Sequence, residues 1–401
     1  MKRKKGISMM LAGVLMSGLL AGCGGNEKTS SPTTTGAKND SKVIKIVSQS
    51  PLSGGSASFG ESMKLGAQLA VEKQKEEFKK LGFDLQFVPY DDQGDPKKGV
   101  ANAQTITADK AVLGVVGHLM SGVSIAASET YEKQNLVMVS PSSTAVDLTE
   151  RGLKSVARLV ARDDFQGPAA AKYAVDTLKA ANIFIIQDKT AYGQGLADAF
   201  KKEAEKIGAK VVGYEGITIG EKDFNGVLNQ VVAKKPDLVY FGGLYAEGSI
   251  LVKQAREKGI KVPIMGGDGI DSPTMAEVAK EALKDTYYTT VATSPSTTDK
   301  GKAFVDDYKK KFNKDIEAFS AYGYDSAAVI LQGIKDALQK NGGKMPTREQ
   351  VRDAVRSVTS FDGVITNVSF DEKGDNKNAK VYIYKFEEGS YPGKQQGEVS
   401  K

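Results

Sequence analysis

The stretch IFIIQDKTAYGQGLADAFKKEAEKI, residues 183–207, contains the structural unit that decides the fold. Its first four residues are β-branched or aromatic, and they predict a short strand that is buried on both faces. A polar loop with Tyr192 follows, and from Gly195 onward the spacing of the apolar residues predicts a helix that ends at Ile207. A buried strand that leads through a short loop into a helix is typical of a parallel sheet covered by helices.

The same strand-and-helix unit recurs along most of the chain. Strands are predicted at 43–47, 85–88, 112–116 and 137–139, and again at 183–186, 210–212, 238–241 and 262–265. Helices between them predict an α/β fold with two similar lobes that divide near residue 162, which also suits a folded part too long for one core. A tail completes these lobes, so we expect the chain to cross between them more than once. It holds a strand at 287–291, helices at 300–312, 321–339 and 348–355, and strands around the turn DEKGD at 371–375.

The N-terminus predicts an exported, lipid-anchored protein. A basic start, MKRKK, precedes an apolar segment at 6–20 that is too short to span a membrane, and Leu20-Ala21-Gly22-Cys23 then matches the cleavage box of a bacterial lipoprotein. We therefore expect residues 1–22 to be a signal peptide and Cys23 to carry the lipid that anchors the protein to the bacterial cell membrane. An incidental cysteine after an ordinary signal peptide is disfavoured, because Cys23 is the only cysteine of the chain. Residues 23–42 are polar and predict a flexible tether.

The composition excludes several classes of function. The net charge of +6 includes four basic residues of the signal peptide, and the remaining charges are interspersed, which argues against a nucleic-acid partner. A serine hydrolase needs a base, but His118 is the only histidine and no G-x-S-x-G elbow occurs. One histidine and one lipidated cysteine cannot form a zinc site, and DEKGD lacks the carboxylate spacing of a calcium loop. We expect no metal, no cofactor and no enzyme activity.

Small polar residues follow several predicted strands, where parallel sheets bind their ligands. These loops are 53–56, 121–122, 140–144 and 266–269, with Tyr192 and Tyr245 after two further strands. Helix N-termini favour anions, so Ser121 and Thr144 facing Asp268 could hold a zwitterion, with its carboxylate at the hydroxyls and its ammonium at the acid. The alternative, that Ser121 and Thr144 only cap helices, stays open at this point.

Several stretches together resemble the branched-chain amino acid (Leu/Ile/Val-type) substrate-binding proteins of bacterial ABC importers, which are type I periplasmic binding proteins. They are YDDQGDP at 90–96, VGHLMSGVSIAASETY at 116–131, SPSSTAVDLTERG at 140–152, DDFQGPAAAKY at 163–173, DKTAYGQGLA at 188–197, GITIGEKDF at 216–224 and FDEKGD at 370–375. The resemblance implies two Rossmann-like lobes joined by a hinge of three crossings, with the ligand in the cleft. It assigns residues 43–162 and 292–363 to the first lobe and 163–291 and 364–401 to the second.

The resemblance also implies roles for individual residues. Ser121 and Thr144 match the positions that hold the ligand carboxylate and amine, and Asp268 matches the acid that binds the α-ammonium. Ser142 and Ser143 match small residues whose backbone contributes there. Further matches are Tyr192, which closes over the ligand from the second lobe, and Phe59, which lines the side-chain pocket.

Three positions depart from the family pattern and put the exact side chain of the ligand in doubt. Leu244 stands where a tyrosine is common, with Tyr245 adjacent to it. Gly94 and Met120 stand where some relatives carry a disulfide, and Met120 could also reshape the pocket.

The function that the resemblance implies is that of a receptor. It binds an aliphatic, branched-chain amino acid and delivers it, as a monomer, to an ABC permease that works with a cytoplasmic ATPase. Two alternatives remain: a receptor for another small amino acid or amide, and a sensor that signals through a membrane partner without transport.

Overall fold

The computed structural model describes residues 42–292, 294–387 and 390–400. The predicted signal peptide, the lipidated Cys23 and all of the predicted tether except Lys42 lie outside the described residues.

The first sheet contains five parallel strands. Its spatial order is β2-β1-β3-β4-β5. The strands are β1 (Lys42–Ser50), β2 (Phe83–Asp91), β3 (Val112–Gly117), β4 (Met138–Ser140) and β5 (Val156–Arg158), and the helices between them are α1 (Ala57–Lys80), α2 (Pro96–Ala108), α3 (Ser121–Glu132) and α4 (Asp147–Glu150). The three-residue strand β5 was not predicted. Every residue of β3 is buried, which explains its uninterrupted apolar run.

The second sheet repeats this order with the next five strands. Its parallel part runs β7-β6-β8-β9-β10, so the two sheets have the same topology. The strands are β6 (Asn182–Gln187), β7 (Lys210–Gly216), β8 (Leu238–Gly242), β9 (Ile264–Gly266) and β10 (Thr286–Thr290), and the helices are α5 (Asp163–Lys172), α6 (Ala191–Lys206), α7 (Asn225–Lys234), α8 (Tyr245–Glu257) and α9 (Pro273–Ala279). In both sheets the strand order reverses beside the first strand, and this reversal is where open α/β sheets bind ligands.

The tail returns first to the first sheet and then to the second. Its elements are α10 (Asp299–Phe312), α11 (Ser320–Lys340), α12 (Arg348–Arg356), the short pair β11 (Phe361–Asp362) and β12 (Asn367–Val368), and β13 (Lys380–Glu387) and β14 (Ser390–Ser400). Helix α11 packs against α1 and β3, whereas β13 pairs antiparallel with β10 and β14 continues that edge. The chain therefore passes between the two sheets after β5, after β10 and before β13, which confirms the predicted α/β fold of two lobes with several crossings.

Helices α1 and α11 meet at two glycines. A Cβ atom on Gly66 would lie 1.9 Å from the carbonyl oxygen of Ser320, and one on Gly323 would lie 2.2 Å from that of Met63. Only glycine permits this approach, which holds α11 on the first sheet and with it the segment that carries Phe319. Across the described parts of the chain, no helix combines the length and the hydropathy of a membrane span.

Candidate ligand-binding site

A small cavity lies between loops that follow strands of both sheets. Six of the nine residues that the sequence predicts as ligand-binding line it, namely Phe59, Met120, Ser121, Ser142, Tyr192 and Asp268. Four further lining residues were not predicted to bind ligand, namely Leu119, Leu244, Gly269 and Phe319. The remaining three predicted residues, Ser143, Thr144 and Tyr245, do not line it, although Ser143 and Tyr245 contact residues that do.

The SPSST loop after β4 is tied down by its serines. The hydroxyl of Ser142 donates to the carbonyl oxygens of His118 and Leu119 at 3.2 Å each, and that of Ser143 donates to His118 at 3.0 Å. Ser140 Oγ accepts from the backbone N–H groups of Ser142 and Ser143. Thr144 is different: it is fully buried, and its hydroxyl lies beside the carboxylate of Asp163. The loop therefore carries one buried hydroxyl, that of Thr144, next to a buried acid.

Ser121 is the first residue of α3, and its side chain does not cap that helix. The N-cap position is Met120, which makes no side-chain cap bond. Ser121 Oγ instead accepts a hydrogen bond of 3.3 Å from the backbone N–H of Ala145, and so joins α3 to the SPSST loop. Thr144 caps no helix either, because α4 begins only at Asp147. The alternative that both hydroxyls merely cap helices is therefore wrong. The start of α3 has backbone N–H groups without helical partners and a partial positive charge, and both favour an anion.

Asp268 supplies the opposite charge from the second sheet. It opens a single 3₁₀ turn after β9 and is 3 % exposed. Its Oδ1 accepts from Gln166 Nε2 at 2.9 Å and from the hydroxyl of Tyr192 at 2.8 Å. Burial raises the pKa of Asp268 to about 6, although the two hydrogen bonds act in the opposite direction and lower it. A buried carboxylate of this kind favours a cationic partner.

Tyr192 is held in one place by the same turn. The backbone N–H of Gly269 donates to its hydroxyl at 2.8 Å while that hydroxyl donates to Asp268. Burial and the charge of Asp268 raise the pKa of Tyr192 well above its ordinary value, so the phenol keeps its proton. The sequence placed Tyr192 in a loop, whereas it lies in the first turn of α6, whose N-cap is Thr190.

A second acid, Asp163, lies close to this site and was not predicted. It is 1 % exposed, and its carboxylate lies beside the hydroxyl of Thr144. Burial raises the pKa of Asp163 well above its ordinary value, and the negative charge of Asp268 raises it further. A cation bound at Asp268 would favour ionisation of both acids.

The rest of the cavity wall is apolar. The ring of Phe59 is fully buried and stands edge-on to Tyr245 and Phe319, with ring centroids 4.7 Å and 5.2 Å apart. Tyr245 therefore supports Phe59, and its neighbour Leu244 lines the cavity. With Leu119 and Met120 these side chains form a surface that fits an aliphatic group.

Sequence reasoning missed Gln166 and Phe319 for different reasons. Gln166 lies in DDFQGPAAAKY, one of the stretches that resemble the family, but the resemblance assigned no role to this residue. Phe319 precedes α11 and reaches the cavity only because the tail returns to the first sheet, and no local pattern indicates this.

The described parts of the chain contain no group of three side chains suited to a metal ion. His118 is fully buried, with its Nδ1 2.9 Å from Asp92 Oδ2, which fits a structural role.

Fold and site together are those of a two-lobed α/β binding protein for a small ligand. The sequence profile described as periplasmic binding protein matches residues 43–391, and the chain belongs to that family, which implies an extracytoplasmic location. It is 34 % identical to the leucine-, isoleucine-, valine-, threonine-, and alanine-binding protein of Pseudomonas aeruginosa over 86 % of this chain and 90 % of that protein.

Two solved structures are similar over most of the chain. The leucine binding protein LivK from Thermotoga maritima superposes with a TM-score of 0.80 at 29 % identity, over 89 % of this chain and 99 % of that one. The branched-chain amino acid transporter substrate binding protein LivJ from Streptococcus pneumoniae, in complex with isoleucine, gives a TM-score of 0.78 at 26 % identity, over 89 % and 98 % of the two chains. These relatives are binding proteins rather than enzymes.

Proposed function

We propose that this protein is a lipid-anchored receptor that binds a branched-chain amino acid in the cavity between its two sheets and delivers it to an ABC permease. One observation carries the proposal: a hydroxyl-bearing helix start and a buried carboxylate face one small cavity whose remaining wall is apolar. An α-amino acid with an aliphatic side chain has one group for each of these surfaces.

The ligand carboxylate is assigned to Ser121, Thr144 and the first N–H groups of α3. Hydrogen bonds to a charged group contribute about 1.5–3 kcal/mol each, more than neutral ones. Ser142 and Ser143 keep the loop backbone in place and add no charge. The ligand ammonium is assigned to Asp268, whose partners Gln166 and Tyr192 leave its charge uncompensated.

The ligand side chain is assigned to the apolar wall of Phe59, Leu119, Met120, Leu244 and Phe319. Burial of a leucine-sized side chain contributes about 1.5–3 kcal/mol. The wall has no cation for an acidic side chain, which excludes aspartate and glutamate as preferred ligands.

Binding is coupled to closure because the two ends of the ligand contact different sheets. Ser121 and Thr144 follow strands of the first sheet, whereas Asp268 and Tyr192 follow strands of the second. A zwitterion that bridges them stabilises the closed arrangement more than the open one, which is the condition for a ligand-driven shift. The first lobe is assigned residues 43–162 and 292–363, and the second lobe is assigned residues 163–291 and 364–401. The division of the strands between the two sheets supports this assignment.

The lipid anchor and the permease partner rest on the sequence and the relatives. Cys23 in its cleavage box supports a lipid-anchored form, and the name of the Streptococcus pneumoniae relative supports a transporter subunit. An ABC permease with a cytoplasmic ATPase would receive the ligand.

Calorimetric titration of the refolded, ligand-free mature chain against the twenty amino acids tests the proposal. We expect leucine, isoleucine and valine to bind and charged amino acids not to bind. The Pseudomonas relative is named for threonine and alanine as well, so a receptor for a small amino acid is the second candidate function. Tighter binding of threonine or alanine than of leucine, isoleucine and valine would favour this second candidate. Absence of binding by every amino acid would overturn both.

A further inference from the structure

Arg158, the last residue of β5, has the largest side chain among the fully buried residues. Its guanidinium donates to four groups. Nη1 donates to the backbone carbonyl oxygens of Ser143 at 3.1 Å and Ala145 at 2.7 Å, Nη2 to Thr149 Oγ1 at 2.6 Å, and Nε to Asp375 Oδ1 at 2.5 Å. Arginine is seldom fully buried unless it is paired in this way. The role of Arg158 therefore follows from where its four partners lie.

The two carbonyl groups that Arg158 holds lie on either side of Thr144. The carbonyl oxygen of Thr144 itself accepts from the backbone N–H of Asp163 at 2.9 Å. All three carbonyls of residues 143–145 are therefore fixed, which fixes the peptide planes around Thr144 and the position of its side chain. Two of the three restraints come from Arg158.

Asp375 anchors Arg158 from a distant part of the chain. It ends the DEKGD turn between β12 and β13, and Asp371 Oδ1 orders that turn by accepting from the N–H groups of Lys373, Gly374 and Asp375 at 2.9 Å each. The second oxygen of Asp375 accepts from Thr149 Oγ1 and from Arg162 Nη1, both at 3.1 Å. The guanidinium thus has a fixed counter-charge and little freedom to turn.

We infer that Arg158 is a positioning residue for recognition of the ligand carboxylate, with Asp375 as its anchor: it holds residues 143–145 in the shape in which Thr144 meets the anion. This inference rests on the proposed function, since it concerns the same site. Arg158 acts through the loop and does not line the cavity.

The test compares Arg158→Lys with a matched control, Arg348→Lys. Lysine keeps the charge but cannot reach both carbonyls and Asp375 at once, because its ammonium lacks the planar fork. Arg348 is also a nearly buried arginine that donates to three backbone carbonyls, those of Val112, Thr107 and Asp109, but none of these belongs to the site. Leucine and leucinamide are titrated into each protein by calorimetry, and melting temperatures are recorded without ligand.

We expect Arg158→Lys to weaken leucine binding at least tenfold and leucinamide binding less than twofold, because the amide lacks the anionic group that the loop must meet. Arg348→Lys should lower the melting temperature without changing the ratio of the two affinities. Asp375→Asn, which leaves Arg158 in place without its counter-charge, should shift the ratio in the same direction and serves if Arg158→Lys does not fold.

An unchanged ratio of leucine to leucinamide affinity in Arg158→Lys or Asp375→Asn would overturn the inference while leaving the proposed function intact. If the wild-type chain binds no amino acid, the proposed function fails and the inference fails with it.

Discussion

Two buried residues, Asp268 and Thr144, are central to the proposed binding of the ligand. One brings a carboxylate from the second sheet and the other a hydroxyl from the first. Each makes a specific prediction about ligand affinity.

Replacement of Asp268 by Ala should nearly abolish ligand binding. An ammonium left in a buried site without its carboxylate costs about 2–5 kcal/mol, which raises the dissociation constant by a factor of roughly 30 or more. Calorimetry with leucine measures this. Asp271→Asn is the matched control, since Asp271 is buried three residues away and accepts from Thr290 Oγ1 rather than lining the cavity. A dissociation constant within threefold of wild type for Asp268→Ala would contradict the assignment.

Affinity for leucine should fall on acidification. Asp268 must be ionised to bind the ammonium, and its pKa of about 6 in the ligand-free protein leaves roughly one molecule in ten ionised at pH 5, hence about tenfold weaker binding than at pH 7.5. The effect on stability has the opposite sign: a raised pKa in the folded state contributes stability below the ordinary pKa of 3.8, and this contribution is lost as the pH rises through about 6. Titrations at several pH values test this, and a flat profile would contradict it.

Thr144→Val should separate binding from stability. The change removes a hydroxyl that lies beside the buried carboxylate of Asp163, so the free energy of unfolding without ligand should fall by no more than the roughly 0.5–1.5 kcal/mol of one hydrogen bond. Affinity for leucine should fall about tenfold to a hundredfold, because a charge-assisted hydrogen bond is lost. Thermal melts and titrations on the same preparation distinguish the two effects. Unchanged affinity would remove Thr144 from the site.

At the scale of elements, the crossing of α1 and α11 determines where Phe59 and Phe319 meet. The two rings come from the start of α1 and from the residue before α11, and they pack edge-on at 5.2 Å. The contact depends on the close approach of the two helix backbones at Gly66 and Gly323.

Gly323→Ala should destabilise the protein by about 1–3 kcal/mol, because the new methyl would lie 2.2 Å from the carbonyl oxygen of Met63. This clash outweighs the gain of up to about 1 kcal/mol that Ala brings to a helix. Gly195→Ala in α6 is the control: nothing lies within 4 Å of its added Cβ, so only the gain applies. Urea unfolding of both variants measures the difference, and equal stability of the two would contradict the close packing.

At the scale of the whole molecule, the two sheets share one strand order and are linked by three passages of the chain. This arrangement puts the carboxyl ends of strands from both sheets around one cavity, so a ligand can bind both at once. The predicted lipid anchor, Cys23, belongs to the N-terminal segment, which is joined to β1 through the predicted tether.

Cys23→Ser should release the protein from the membrane without changing ligand affinity. The predicted tether of residues 23–42 would separate the predicted lipid from the folded part, so ligand affinity should not respond to the loss of the lipid. Fractionation of cells followed by titration of the soluble fraction measures both effects. A variant that still sediments with membranes after a salt wash would show that the anchor is elsewhere.

Several features could be predicted from sequence because they depend on local pattern. Strands buried on both faces read as continuous apolar runs, and their alternation with helices determined the α/β class and the repeat. The polar loops at strand ends indicated Ser121, Ser142, Tyr192 and Asp268, since parallel strands end at the same edge of a sheet.

The sequence by itself determined the fold class, the two lobes and most of the polar residues around the cavity. Only the tertiary structure decided the rest, because the interactions concerned join residues far apart in the chain. Strand β14 has a polar sequence with Pro392 and exists through pairing with β13. Gln166 reaches Asp268 across 102 residues and Arg158 reaches Asp375 across 217. Such contacts follow from the paths of several elements at once, and no local spacing of residue types encodes them.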